Sequence, residues 1–123
     1  MIVRCVKIVS PFGDDVEEYP GVRIGAHYPV LEVLSAPDAY MIRILDDSGE
    51  APGTLWTPGM FETVDPRIPS CWIASLSDQG TLRLAPRTWQ RPDFWGDYFN
   101  REPQTLADFE AGMASVLAES VVE

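Results

Sequence analysis

The chain holds one histidine, His27, in the run Gly25-Ala26-His27-Tyr28-Pro29. Any Ser–His–Asp or Cys–His relay would have to run through this residue, and a metal site built on several imidazoles is excluded. Its place just before a β-rich run reads as a turn or sheet-edge position more readily than as a general base. Two carboxylate clusters are the other groups with chemical potential. Asp14, Asp15, Glu17 and Glu18 form the first; Asp46, Asp47 and Glu50 form the second. Paired carboxylates bind Mg²⁺ or Ca²⁺, divide acid–base work, or present a negative face to a partner. Asp46-Asp47-Ser48-Gly49-Glu50 lacks the alternating ligand spacing of a calcium loop, and its Asp, Ser and Gly content is turn chemistry. A solvated turn, a partner-facing patch and a metal site therefore stay open as readings. Cys5 and Cys71 are the two cysteines, with no Cys-x-x-Cys between them, so a zinc finger or thioredoxin-type motif is absent. They read as reduced core thiols, with a disulfide open should their strands be neighbours. No phosphate-binding glycine loop, His-Glu-x-x-His or Gly-x-Ser-x-Gly occurs.

Charge decides among partners. Nineteen acidic residues against nine basic ones give −10, with −7 carried by residues 1–65 and −3 by residues 66–123. Such a chain repels a phosphate backbone, which argues against nucleic acid, and it steers a basic protein toward itself. Solubility alone is the plainer explanation of the same charge. With 123 residues and 46% hydrophobic composition, the chain is one domain able to bury a core. No apolar run approaches the ~20 residues of a membrane helix. The N-terminal residues show no signal-peptide pattern, so a cytoplasmic protein is expected.

The elements that must position these groups read as strands first and helices last. Residues 2–9 alternate as one strand, broken by Pro11 and Gly13, and residues 14–18 read as an acidic loop. Residues 28–34 and 40–45 pair as a hairpin across a Pro-containing loop; 55–56 and 61–64 are short strands around Pro58-Gly59; 71–76 and 81–85 form a second hairpin. Pro86 and Pro92 each open a short helical stretch. From Thr105 to Glu119, Leu106, Phe109, Met113, Val116 and Leu117 mark one helical face, and Thr105 with Asp108 resembles a capping box. Gly112 within that helix signals close packing. The expected fold is α+β: a small curved antiparallel sheet or SH3-like partly open barrel, followed by a hairpin and a C-terminal helix. Residues 1–65 form its β portion, and 66–123 hold the hairpin, an aromatic segment and the helix. In that segment Trp89, Phe94, Trp95, Tyr98 and Phe99 stand among Arg87, Arg91 and Arg101. They either clamp the last helix onto the sheet or form a stacking surface.

Two stretches carry a family resemblance. GVRIGAHYPVLEVL, AYMIRILDDSG and LWTPGMFETVD, within residues 21–65, resemble the SH3-like barrel of several small bacterial immunity families. Residues 70–110, SCWIASLSDQGTLRLAPRTWQRPDFWGDYFNREPQTLADFE, resemble the tail of such proteins, with Asp93 and Gly96 standing where Gly and Glu are common. The resemblance implies a cytosolic antidote of a polymorphic or contact-dependent toxin system, with no catalytic residue and no cofactor. Its expected partner is a cognate toxin domain, basic and in some systems a nuclease. The carboxylates at Asp14, Asp15, Glu17, Glu18, Asp46, Asp47 and Glu50 are the expected contact residues. The alternatives are an SH3-like adaptor binding a peptide or subunit through Trp56 and Tyr28, and an enzyme using Asp46, Asp47 or His27.

Overall fold

The computed structural model describes residues 1–49 and 54–120. Its strands are β1 (Ile2–Cys5), β2 (Ile8–Val9), β3 (Asp15–Val16), β4 (His27–Ala36), β5 (Ala39–Ile44), β6 (Phe61–Asp65), β7 (Trp72–Leu76) and β8 (Leu82–Pro86). Two helices follow, α1 (Phe94–Phe99) and α2 (Pro103–Ala118), with 3₁₀ turns at Pro58–Met60 and Arg87–Gln90. The architecture is α+β, with a small, curved antiparallel sheet that does not close into a barrel.

The ten-residue β4 organises the sheet. β5 runs along one edge, while β1 takes the first part of the other edge and β8 the last part. β6 and β7 complete an order β6-β1-β4-β8-β7. The alternating run 2–9 is not one strand. Val6 and Lys7 both donate their N–H to the Met60 carbonyl, at 2.8 and 3.3 Å. Two residues against one acceptor bend the chain, so β2 leaves the sheet and pairs with β3 instead. The acidic loop at 14–18 thus contributes a short strand. Leu55-Trp56 forms only an isolated bridge, Trp56 to Ile42.

The C-terminal third closes the core. Trp89 is fully buried, stacked on Phe109 of α2 at 5.0 Å and on Phe94 of α1 at 6.3 Å. Trp95 and Tyr98 pack edge-on beside them, so four of the five segment aromatics face inward and only Phe99 is exposed. This is the clamp arrangement. The contact is close because Gly112 has no side chain: a Cβ there would lie 2.5 Å from Trp89 Nε1. The buried stripe of α2 accordingly centres on Thr105, Phe109, Gly112 and Val116, with Leu106, Met113 and Leu117 half-buried beside it. The helix also starts earlier than Thr105. Pro103 occupies its first turn, and the Glu102 carboxylate accepts from the N–H groups of Gln104 and Thr105, at 3.1 and 2.8 Å. Glu102 therefore does the capping that the Thr105–Asp108 spacing suggested.

Candidate functional site

Chain geometry brings both acidic segments to one turn. After β3, Tyr19 bridges to Val22, and the reversal between them needs Gly21, whose φ is +97°. A Cβ at Gly21 would sit 2.9 Å from Asp46 Oδ2, and the Gly21 carbonyl accepts from Asp47 N–H at 2.8 Å. Asp14 to Glu18 thus lead into a turn against which Asp46 and Asp47 pack. Glu50 lies outside the described residues.

The carboxylates in this region are not equivalent. Asp47 is held by both Nε and Nη2 of Arg23, each at 3.0 Å, and accepts from the Tyr28 hydroxyl at 2.9 Å. The Arg23 guanidinium and then the Tyr28 hydroxyl hold the Asp47 carboxyl below its usual range. Tyr28 is buried, which pushes its phenol up, and its oxygen also accepts from Arg23 N–H at 2.8 Å. Asp46 accepts from Ser48 N–H at 2.9 Å and closes the turn. Both of these residues therefore spend their charge or hydrogen-bonding capacity inside the protein. Asp14, Asp15, Glu17 and Glu18 are exposed, and none of their side chains has an ion-pair or hydrogen-bond partner among the described residues.

Sequence reasoning missed an exposed aromatic on the hairpin that leads into this turn. The turn joining β2 and β3 is tied by Gly13 N–H to the Ser10 carbonyl at 2.9 Å and by Ser10 N–H to the Asp14 carbonyl at 2.8 Å. The Ser10 hydroxyl accepts from Phe12 and Asp14 N–H, each at 3.3 Å. On this fixed turn Phe12 is 91% exposed, the most exposed large hydrophobic among the described residues. An aromatic ring within a stretch of acids and turn residues was the available signal. Beyond it, an open groove of about 750 Å³ runs between Glu17, Glu18 and Arg23, floored by Tyr19, Pro20, Val22 and Ile24.

The remaining candidates are placed as follows. His27 is exposed at the start of β4, opposite Arg4. Cys5 is buried and Cys71 half-buried, both free thiols that burial pushes up. Trp56 and Tyr28 are both buried, at 6% and 3% exposure, so no open groove lies between them. A second missed feature is buried in the main sheet. Glu32 of β4, 1% exposed, is contacted by Arg43 Nε of β5 at 3.2 Å and by Arg83 Nε of β8 at 3.1 Å. The Arg43 guanidinium lies 3.7 Å from the centre of the Trp95 ring. Burial raises Glu32 and lowers Arg43 despite their mutual attraction, which marks an ionic cluster held at a desolvation cost. Among the described residues no three His, Cys, Asp or Glu side chains gather into a metal-holding group, and no helix is long and apolar enough to cross a membrane.

Comparison with protein families, with curated proteins and with solved structures finds no match to this chain.

Proposed function

We propose that this chain is a non-enzymatic acidic immunity protein, acting in the cytoplasm, that binds a cognate basic toxin domain and covers its active site. The observation that carries the reading is Phe12, 91% exposed on a hydrogen-bonded turn, followed within six residues by four carboxylates with no partner among the described residues. The two parts have separate jobs. Unpaired carboxylates steer a basic surface at long range and raise the association rate. An exposed aromatic carried on a hydrogen-bonded turn enters a partner pocket with little backbone entropy left to lose, a character suited to an interface anchor. The burial of Trp89, Phe94, Trp95 and Tyr98 supports the same side of the protein as the interface, because the aromatic segment has only Phe99 to offer. A toxin acting on nucleic acid would present the complementary basic groove.

The test is binding kinetics against the toxin domain encoded beside this chain's gene. Changing Asp14, Asp15, Glu17 and Glu18 to Lys is expected to slow association by about tenfold or more at low salt and to flatten its salt dependence. Phe12→Ala is expected to leave association nearly unchanged and to speed dissociation about 30-fold, the equivalent of ~2 kcal/mol. Unaltered rates in both variants would remove this surface from the interface. The adaptor reading keeps one supporting feature, a groove of about 460 Å³ lined by Tyr19, Met41, Trp56 and Met60. Peptide binding there, insensitive to Phe12→Ala, would favour it.

A further inference from the structure

We infer that a recess where α1 meets α2 binds a free apolar α-amino acid, with Arg101 and Tyr98 on its carboxylate, Glu110 on its ammonium and Leu106, Phe109 and Met113 against its side chain. The recess holds about 300 Å³, the small end of the range for ligand pockets. Leu106, Phe109, Glu110 and Met113 follow an i, i+3, i+4, i+7 spacing and line it from one face of α2. Tyr98 and Arg101 reach it from the end of α1. Arg101 N–H donates to the Tyr98 carbonyl and Glu102 N–H to the Asp97 carbonyl, each at 3.0 Å, the two bonds that end a helix on a left-handed residue. Glycine is favoured at such a position, yet Arg101 holds it with φ at 59°. Backbone strain thus keeps a guanidinium at the recess, in a place where the fold alone asks for no side chain.

The polar groups of the recess lack internal partners. Tyr98 is 7% exposed, and its hydroxyl has no hydrogen-bond partner among the described residues, a state that asks for one from outside the chain. Burial pushes its phenol up, so at neutral pH it is a hydroxyl able to donate; the charges acting on it are those of Arg43, Arg101 and Glu110. Arg101 and Glu110 are exposed and form no ion pair, with each other or with any other described residue. These charges choose the occupant. Glu110 and a net charge of −10 repel a simple anion, while Arg101 repels a simple cation. A neutral zwitterion satisfies both. An apolar α-amino acid carries a carboxylate, an ammonium and an apolar group on one carbon, one for each kind of lining, whereas either end of a long peptide carries only one of the two charges.

Titration calorimetry of the full chain with L-leucine, L-phenylalanine and L-methionine tests this, with N-acetyl-L-leucine and L-leucinamide as analogues that each lack one charge. The expected result is saturable one-to-one binding of at least one of the three, and binding of both blocked analogues weaker by about tenfold or more. Tyr98→Phe, which keeps the ring packing, is expected to weaken the amino acid about tenfold. Arg101→Gly is expected to abolish binding without lowering Tm, because glycine suits the left-handed position. Should Arg101→Gly lower Tm, Glu110→Gln decides: it is expected to weaken L-leucine about tenfold and leave N-acetyl-L-leucine unchanged, a split that a folding defect would not produce. No saturable binding of any of the three at millimolar concentration, blocked analogues that bind as tightly as L-leucine, or an affinity that Tyr98→Phe and Glu110→Gln both leave intact would overturn the inference. None of these residues belongs to the Phe12 hairpin. Phe12→Ala and charge reversal at residues 14–18 are therefore expected to leave amino-acid binding unchanged, which separates this result from the fate of the toxin-binding reading.

Discussion

Replacing Gly112 with alanine is expected to destabilise this protein although it improves the helix. At an ordinary interior helical position the change gains about 1 kcal/mol, because alanine loses less backbone entropy. Here the new methyl meets Nε1, Cε2 and Cζ2 of Trp89 at 2.5, 2.8 and 3.1 Å. That ring cannot step aside. It is fully buried, stacked between Phe109 and Phe94, and its Nε1 donates to the Asp108 carbonyl at 3.3 Å. Overpacking against a rigid partner costs about 3 kcal/mol at the upper end of its range. The net loss is about 2 kcal/mol, a fall in Tm of about 8 °C for a domain this size. Gly96 supplies the internal control. It is exposed in α1, a Cβ there meets nothing within 4 Å, and Gly96→Ala is expected to raise Tm by a few degrees. Thermal and urea melts of both variants read the difference. A neutral or stabilising Gly112→Ala would refute the claim that α2 is seated by the Trp89 contact.

Two further substitutions probe backbone strain and the buried charges. Asp93 holds a left-handed φ of 63° without a side-chain cap bond, so Asp93→Gly is expected to stabilise by about 0.5–1 kcal/mol, read as a rise in Tm; a fall would mean the carboxylate does unseen work. Glu32→Ala removes the buried carboxylate that faces both Arg43, 5% exposed, and Arg83 and is expected to cost about 3–5 kcal/mol, whereas exchanging Glu32, Arg43 and Arg83 together for Leu, Met and Leu is expected to be within about 1 kcal/mol of the parent in urea denaturation. A mild Glu32→Ala would show that the cluster is not buried as described.

The fold class was legible because its signals are local. Alternation marked β4 and β5, and the 3.6-residue period marked α2. What was hidden depends on contacts across the sheet. The period gave the apolar face of α2 but not its centre, which Gly112 determines by what packs against it. The bend after Cys5 comes from the Met60 carbonyl, far along the chain. Glu32, Arg43 and Arg83 each sit alone in an apolar run, a repeated signal whose meaning appears only once β5 and β8 flank β4. At the site, composition singled out the acidic segments but not their inequality. Asp47 is committed to Arg23 and Tyr28, while Phe12, an apolar residue in a polar turn, carries no chemistry that a search for reactive groups would notice.

The most direct measurement of the central claim is a growth rescue. The C-terminal domain encoded by the adjacent open reading frame is expressed in a bacterial host, and colonies are counted without this protein, with it, and with a variant joining Phe12→Ala to the four charge reversals. The account predicts killing by the domain alone, full survival with the parent protein and loss of protection with the variant, which still melts at the parent's Tm. A domain that is harmless, or that kills regardless of this protein, would contradict the immunity reading; survival with the variant equal to the parent would contradict the assignment of the Phe12 hairpin as its working surface.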